Sequence, residues 1–89
     1  MNKQKFLKRI LTNKQNVSFS DFRSLVEAFG FRMDRIKGSH HIFIHPSVKE
    51  LINIQNVKGQ VKPYQINQFL TLVEKHNLTF VKDTKTQKE

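Results

Sequence analysis

The sequence predicts an α+β fold in which helices cover one face of a three-stranded antiparallel sheet, in the order α-α-β-β-β-α. Three observations carry that prediction. Apolar residues recur at helical spacing in three segments, around 6–11, 19–29 and 66–73. Between the second and third lie three short stretches of strand character separated by turn residues. The chain has 89 residues, which suits one compact domain around a single core.

Residues 2–12 set Phe6, Leu7, Ile10 and Leu11 on one side of a short amphipathic helix, with lysines opposite. The polar run Thr12–Asn16 reads as a loop. Ser18 with Asp21 three positions on is a capping-box-like start, in which side chains satisfy free backbone N–H groups. Phe19, Phe22, Leu25, Val26 and Phe29 follow as one apolar face, and Gly30 stands where a left-handed cap ends the helix. The strand segments are Phe31–Lys37, His41–His45 and Leu51–Gln55, with turns at Gly38-Ser39 and Pro46-Ser47. Pro63 suits a first helical turn, where its missing N–H costs nothing, and Ile66, Phe69, Leu70 and Val73 continue that helix toward Asn77. Short connections between the strands predict an antiparallel meander with helices on one face. The chain thus divides into an N-terminal basic helix and loop (1–16), a main domain (17–79) and a charged, frayed tail (80–89).

Composition narrows the function. The chain has no cysteine, which removes disulfide scaffolds, thiol nucleophiles and cysteine-based zinc sites. No apolar run approaches the roughly 18–20 residues of a membrane span, and no signal-peptide pattern precedes the first lysines. The expectation is a soluble cytoplasmic domain, monomeric when free. Sixteen Lys and Arg against seven Asp and Glu give a net charge of +9. Such an excess attracts polyanions, because each cation set on a phosphate releases a counterion. Lys3, Lys5, Lys8, Arg9 and Lys14 precede the first acid, and Arg32, Arg35, Lys37, Lys49, Lys58 and Lys62 continue the series. The charge therefore runs along the whole fold.

Gly38, Ser39, His40 and His41 stand together, with His45 close behind. Histidine is the side chain suited to proton transfer near neutral pH. The strand period puts His40 with Ile42 and Ile44, toward the core, and His41 with Phe43 and His45 on the opposite, open face. His41 is then the candidate proton acceptor, beside a glycine that lets a phosphate approach closely. A metal role is disfavoured: on a strand, His41 and His45 lie about 13 Å apart, and no nearby carboxylate completes a site. No carboxylate pair, nucleophile–base pair or phosphate loop is evident. One histidine with several cations fits a substrate that carries its own nucleophile, as RNA does in its ribose 2′-OH. Lys58 and Lys62, with Gly59, precede the Pro63 helix as a possible phosphate site, and Phe43 and Tyr64 are candidates for stacking on bases. His45 and Lys37 are the candidates for a general acid.

A helix ending in Gly30-Phe31, a basic stretch, then Gly38-Ser39-His40-His41-Ile42-Phe43 and the His45-Pro46 step resembles the HicA toxin family from about Ser18 to Leu78. The resemblance implies a fold like the double-stranded-RNA-binding domain and an mRNA interferase that needs no metal or other cofactor. It maps the catalytic histidine, the last position of Gly-Ser-x-His, onto His41. It also implies an acidic HicB-type antitoxin that covers the active face. RNA contacts are expected from Arg35, Lys37, Gly38, Ser39, Phe43, Lys58 and Lys62. Many relatives carry a Pro and a His after the third strand, where this chain reads Ile54-Gln55-Asn56-Val57, and residues 1–14 add a helix to the family's minimal core. The competing expectations are a non-catalytic RNA-binding module of the same fold and an interaction domain for an acidic protein.

Overall fold

The computed structural model describes residues 2–81. Its elements run α1 (Lys3–Thr12), β1 (Val17–Ser18), α2 (Phe19–Ala28), β2 (Arg32–Lys37), β3 (His40–His45), β4 (Val48–Gln55), β5 (Gln60–Val61) and α3 (Pro63–Lys75). The expected α+β class, three helices and three-stranded antiparallel sheet in the order β2-β3-β4 are present. Two further strands are not in the expected order. β1 and β5, which sequence reading leaves in loops, pair antiparallel through Val17↔Val61 and Ser18↔Gln60. Two-residue strands are too short for alternation to show, and their pairing comes only from the tertiary fold.

Local chemistry explains the helix boundaries. Asn2 caps α1 by accepting the N–H groups of Gln4 and Lys5, both at 3.1 Å. Ser18 caps α2 by accepting the Asp21 N–H at 3.0 Å. Gly30 follows α2 with φ of +96°, a backbone state that favours glycine. Pro63 opens α3, and Asn77 ends its cap in the left-handed region at φ +52°.

The core lies between the sheet and the helices. Phe6 and Ile10 of α1 join Phe22, Leu25, Val26, Phe43, Ile52, Ile54, Ile66 and Phe69 in one buried cluster. Phe69 of α3 holds its centre, packing edge-on against Phe22 at 5.3 Å and Phe29 at 5.6 Å. At the C-terminal end of the described chain, Phe80 stacks on Phe29 at 4.5 Å, and the Val81 N–H donates to the Ala28 carbonyl at 2.8 Å. The first two residues assigned to the tail thus pack onto α2, and residues 82–89 lie outside the described chain.

The faces of the sheet are the reverse of the expectation. Register pairs Phe43 with Ile52 and His41 with Ile54, and Phe43, Ile52 and Ile54 are buried in the core. Paired residues share a face, so His41 stands on the helix-covered side. The other face carries Arg35↔Ile42↔Asn53 and Lys37↔His40↔Gln55. Alternation sorts β3 into two sets without saying which set meets the helices. The neighbouring pair Ile52 and Ile54 decides it, because their register aligns them with Phe43 and His41.

One device protects the edge of the sheet. Gln65 of α3 is buried, accepts the Gln55 N–H at 3.0 Å and donates to the Asn53 carbonyl at 3.2 Å. Its side-chain amide stands in for a short length of neighbouring strand, so these edge groups are not left unpaired.

Candidate functional site

His41 sits where the β2–β3 turn meets the start of α2. Gly38, with φ of +58°, opens the two-residue turn between Lys37 and His40, a position where glycine adopts the required conformation without strain. The turn leaves the Ser39 carbonyl pointing back, and His41 Nδ1 lies 3.0 Å from it. A carbonyl only accepts, so Nδ1 carries the proton and Nε2 carries the free lone pair. The imidazole packs at 53° against the Phe19 ring, with centroids 4.5 Å apart. Its proton-accepting nitrogen is thereby set by a backbone carbonyl on one side and an aromatic wall on the other.

The surroundings are wired to the same histidine. The Ser39 carbonyl also accepts the Asn56 N–H at 3.0 Å, and Ser39 Oγ accepts from Gln55 Nε2 at 3.3 Å. Asn56 Oδ1 accepts the Gly59 N–H at 2.7 Å. Lys58 and Gly59 have φ of +52° and +83° at the centre of a turn closed by reciprocal Val57–Gln60 hydrogen bonds. The Gly59 carbonyl then accepts the Phe19 N–H at 2.8 Å. Two turns, the end of β4 and the start of α2 therefore converge on one side chain, and exposed Lys58 stands at the tip of one of those turns.

Other predicted residues are dispersed. Arg35 and Lys37 are exposed on the opposite face of the sheet, where Arg35 pairs with Asp34 and Lys37 lies across from His40. His40 Nδ1 meets Asn53 Oδ1 at 3.1 Å on that face. Lys62 precedes α3 and borders a depression of about 230 Å³ with Gln15, Asn16 and Pro63, lined on another side by Val57 and Gln60 of the Lys58 turn. Tyr64 is exposed on α3, beside Leu51 and Asn67.

Two expectations need correction. Phe43 is fully buried in the core, so its ring is closed to a stacking base. It is the large apolar residue of the central strand, and the helices cover it. His45 is not free to act as an acid: its Nδ1 accepts the Ser47 N–H at 3.0 Å, which leaves Nε2 to donate to the Phe29 carbonyl at 3.0 Å. Both ring nitrogens are used within the fold, at the far end of β3 from His41.

Sequence reading missed Phe19, Asn56 and Ile36 as neighbours of His41. Phe19 reads as one more core residue of α2. Asn56 belongs to the Ile54–Val57 stretch noted above, but nothing in the sequence shows that it shares the Ser39 carbonyl with His41. Ile36, the cross-strand partner of His41, is half-exposed, and only the register reveals the juxtaposition.

Among the described residues, no helix is long and apolar enough to cross a membrane. No curated protein and no solved structure gives a significant match to the chain. A family model described as the HicA toxin of bacterial toxin–antitoxin systems matches residues 19–74, from the first residue of α2 almost to the end of α3.

Proposed function

The chain belongs to the HicA toxin family of bacterial toxin–antitoxin systems, and from that premise we propose that it is a metal-independent endoribonuclease acting on mRNA through His41. The observation that carries this reading is the hydrogen bond from His41 Nδ1 to the Ser39 carbonyl, which leaves Nε2 as the proton acceptor. A base needs its lone pair on a defined atom and its ring held in one orientation, and Phe19 supplies the second condition.

In the proposed reaction, Nε2 removes the proton of a ribose 2′-OH. The 2′-oxygen attacks the adjacent phosphorus, the bond to the 5′-oxygen breaks, and water protonates the leaving oxygen. The products are a 2′,3′-cyclic phosphate and a 5′-OH. Lys58, at the turn tied to Phe19, offsets charge on the phosphorane. Gly38 and Ser39 let the phosphate approach the turn. Arg35 and Lys37 hold a further stretch of the RNA backbone on the opposite face of the sheet, and Lys62 extends the basic track toward α3. An acidic antitoxin of the HicB type is the natural partner, since it complements the +9 charge and competes with RNA for the same surface. The overall arrangement is read as similar to a double-stranded-RNA-binding domain.

The test is incubation of end-labelled RNA with the purified chain in EDTA, beside His41→Ala. Cleavage by wild type alone, with cyclic-phosphate ends, is the expected result. A His41→Ala protein that cuts at the wild-type rate sinks the mechanism. One observation favours a second reading: Arg35 and Lys37 lie on the face opposite His41, as a binding module without chemistry would allow. Binding without cleavage by both proteins selects that module.

A further inference from the structure

We infer that Ile36 seats the nucleobase of the nucleotide whose 2′-OH is delivered to His41. The inference deepens the ribonuclease reading and rests on it. Ile36 and His41 are directly paired across β2 and β3, so their side chains rise from the same face with Cβ atoms about 5 Å apart. Two flanks of His41 are closed by the core. Ile54, its partner on β4, is fully buried, and Phe19 lies against the ring. The β2 side is the open approach, and Ile36 stands on it with 53% of its surface exposed.

The chemistry of that position suits a base and not a phosphate. Asp34, Arg35 and Lys37 surround Ile36 in sequence, but Arg35 and Lys37 pair with residues of the opposite face, and Asp34 falls at the register shift of β2 with its carboxylate held by Arg35. An aliphatic side chain therefore stands alone where the substrate enters. A ribose whose 2′-OH meets Nε2 carries its base within a few ångströms of the same spot, so one nucleotide reaches both side chains. Phe19 and Phe43 offer no alternative platform, because both are buried. An aliphatic contact of this kind covers part of the base without reading hydrogen-bond edges, which leaves sequence discrimination to other contacts.

The test compares wild type with Ile36→Ala on two probes. One is a short RNA that the wild-type chain cleaves. The other is an oligomer of the same length with abasic ribose throughout, and 2′-O-methyl versions of both give affinities with the nucleophile blocked. Ile36→Ala is expected to lower cleavage and affinity for the base-bearing RNA about three- to tenfold, the scale of one partly covered aliphatic contact. Its melting temperature stays at the wild-type value, and on the abasic oligomer the two proteins are equal. An equal loss on both probes, or no loss, overturns the base seat. An effect confined to neutralisation by the antitoxin also overturns it, and makes Ile36 a protein contact. If wild type cleaves nothing, the ribonuclease reading fails by itself, while the affinities of the blocked probes still decide whether Ile36 holds a base.

Discussion

His45 Nε2 donates to the Phe29 carbonyl at 3.0 Å, joining the central strand to the end of α2. With Nδ1 occupied by the Ser47 N–H, the same ring closes the β3–β4 turn and packs edge-on against Phe31 at 4.9 Å. A histidine that sequence reading offers as an acid is therefore a three-way tie between helix, strand and turn. His45→Ala leaves a carbonyl and an N–H without partners, at a cost of about 1–3 kcal/mol. Urea denaturation should show that loss. RNA cleavage per folded molecule should stay near wild type, whereas a loss matching His41→Ala would return His45 to the chemistry.

Gly30 is the counterpart of that tie. A Cβ there would stand 2.9 Å from His45 Nε2, and φ of +96° is itself unfavourable for an L side chain. Steric displacement of His45 and backbone strain act in the same direction, so Gly30→Ala should destabilise by about 1–3 kcal/mol. Thermal melts of the single and double variants with His45→Ala check the coupling. The double variant should lose less than the sum, because removing the imidazole relieves the clash.

The helices were legible because their signals are local. Ser18 and Asp21, Gly30 and Pro63 each act within a turn of their own position, and each marks a boundary in the structure. The face of β3 was not legible, since it depends on which alternating set aligns with Ile52 and Ile54 of β4. The same holds for the candidate site. A histidine beside a glycine turn can be seen in sequence, but Phe19, Asn56 and Ile36 reach it through register and turn geometry. Face reversal also makes Phe43 a core residue, and truncating it should cost about 3–5 kcal/mol. Denaturation of Phe43→Ala measures this. Near-native stability with weakened RNA binding would contradict its burial.

Glu50 of β4 is paired with Lys75 at the end of α3 and with His76 just beyond it. The Lys75 ammonium, hydrogen-bonded to Glu50 at 2.6 Å, is the chief cause holding its pKa at about 2 instead of the ordinary 4.5, with its own backbone N–H and His76 adding to the effect. A pKa lowered in the folded state means that the ionised form favours folding. That support is fully present above about pH 4.5 and is lost as pH falls through about 2. Glu50→Gln should flatten this part of the stability curve and leave its shape at neutral pH unchanged. Melting temperatures across the acid range decide it: parallel curves for both proteins would show that the Glu50 contacts do not bias folding.

The cations on the open sheet face offer a test independent of catalysis. Arg35 and Lys37 are exposed, and they share that face with His40 and Asn53. If they hold RNA phosphates, each releases counterions on binding, and the logarithm of affinity falls with that of salt by about 0.7 per contact on a single strand. The double variant Arg35→Ala, Lys37→Ala should therefore bind RNA more weakly at low salt and lower the slope by about 1.4. Arg35 is already paired with Asp34, and breaking that pair on binding reduces its share of affinity while leaving the counterion count intact. The two singles should accordingly differ more in affinity than in slope, with Lys37→Ala the weaker binder. Fluorescence anisotropy against an uncleavable RNA, titrated over salt, measures both quantities. An unchanged slope would place the RNA track away from this face, on the side of His41, and leave the open face to other contacts.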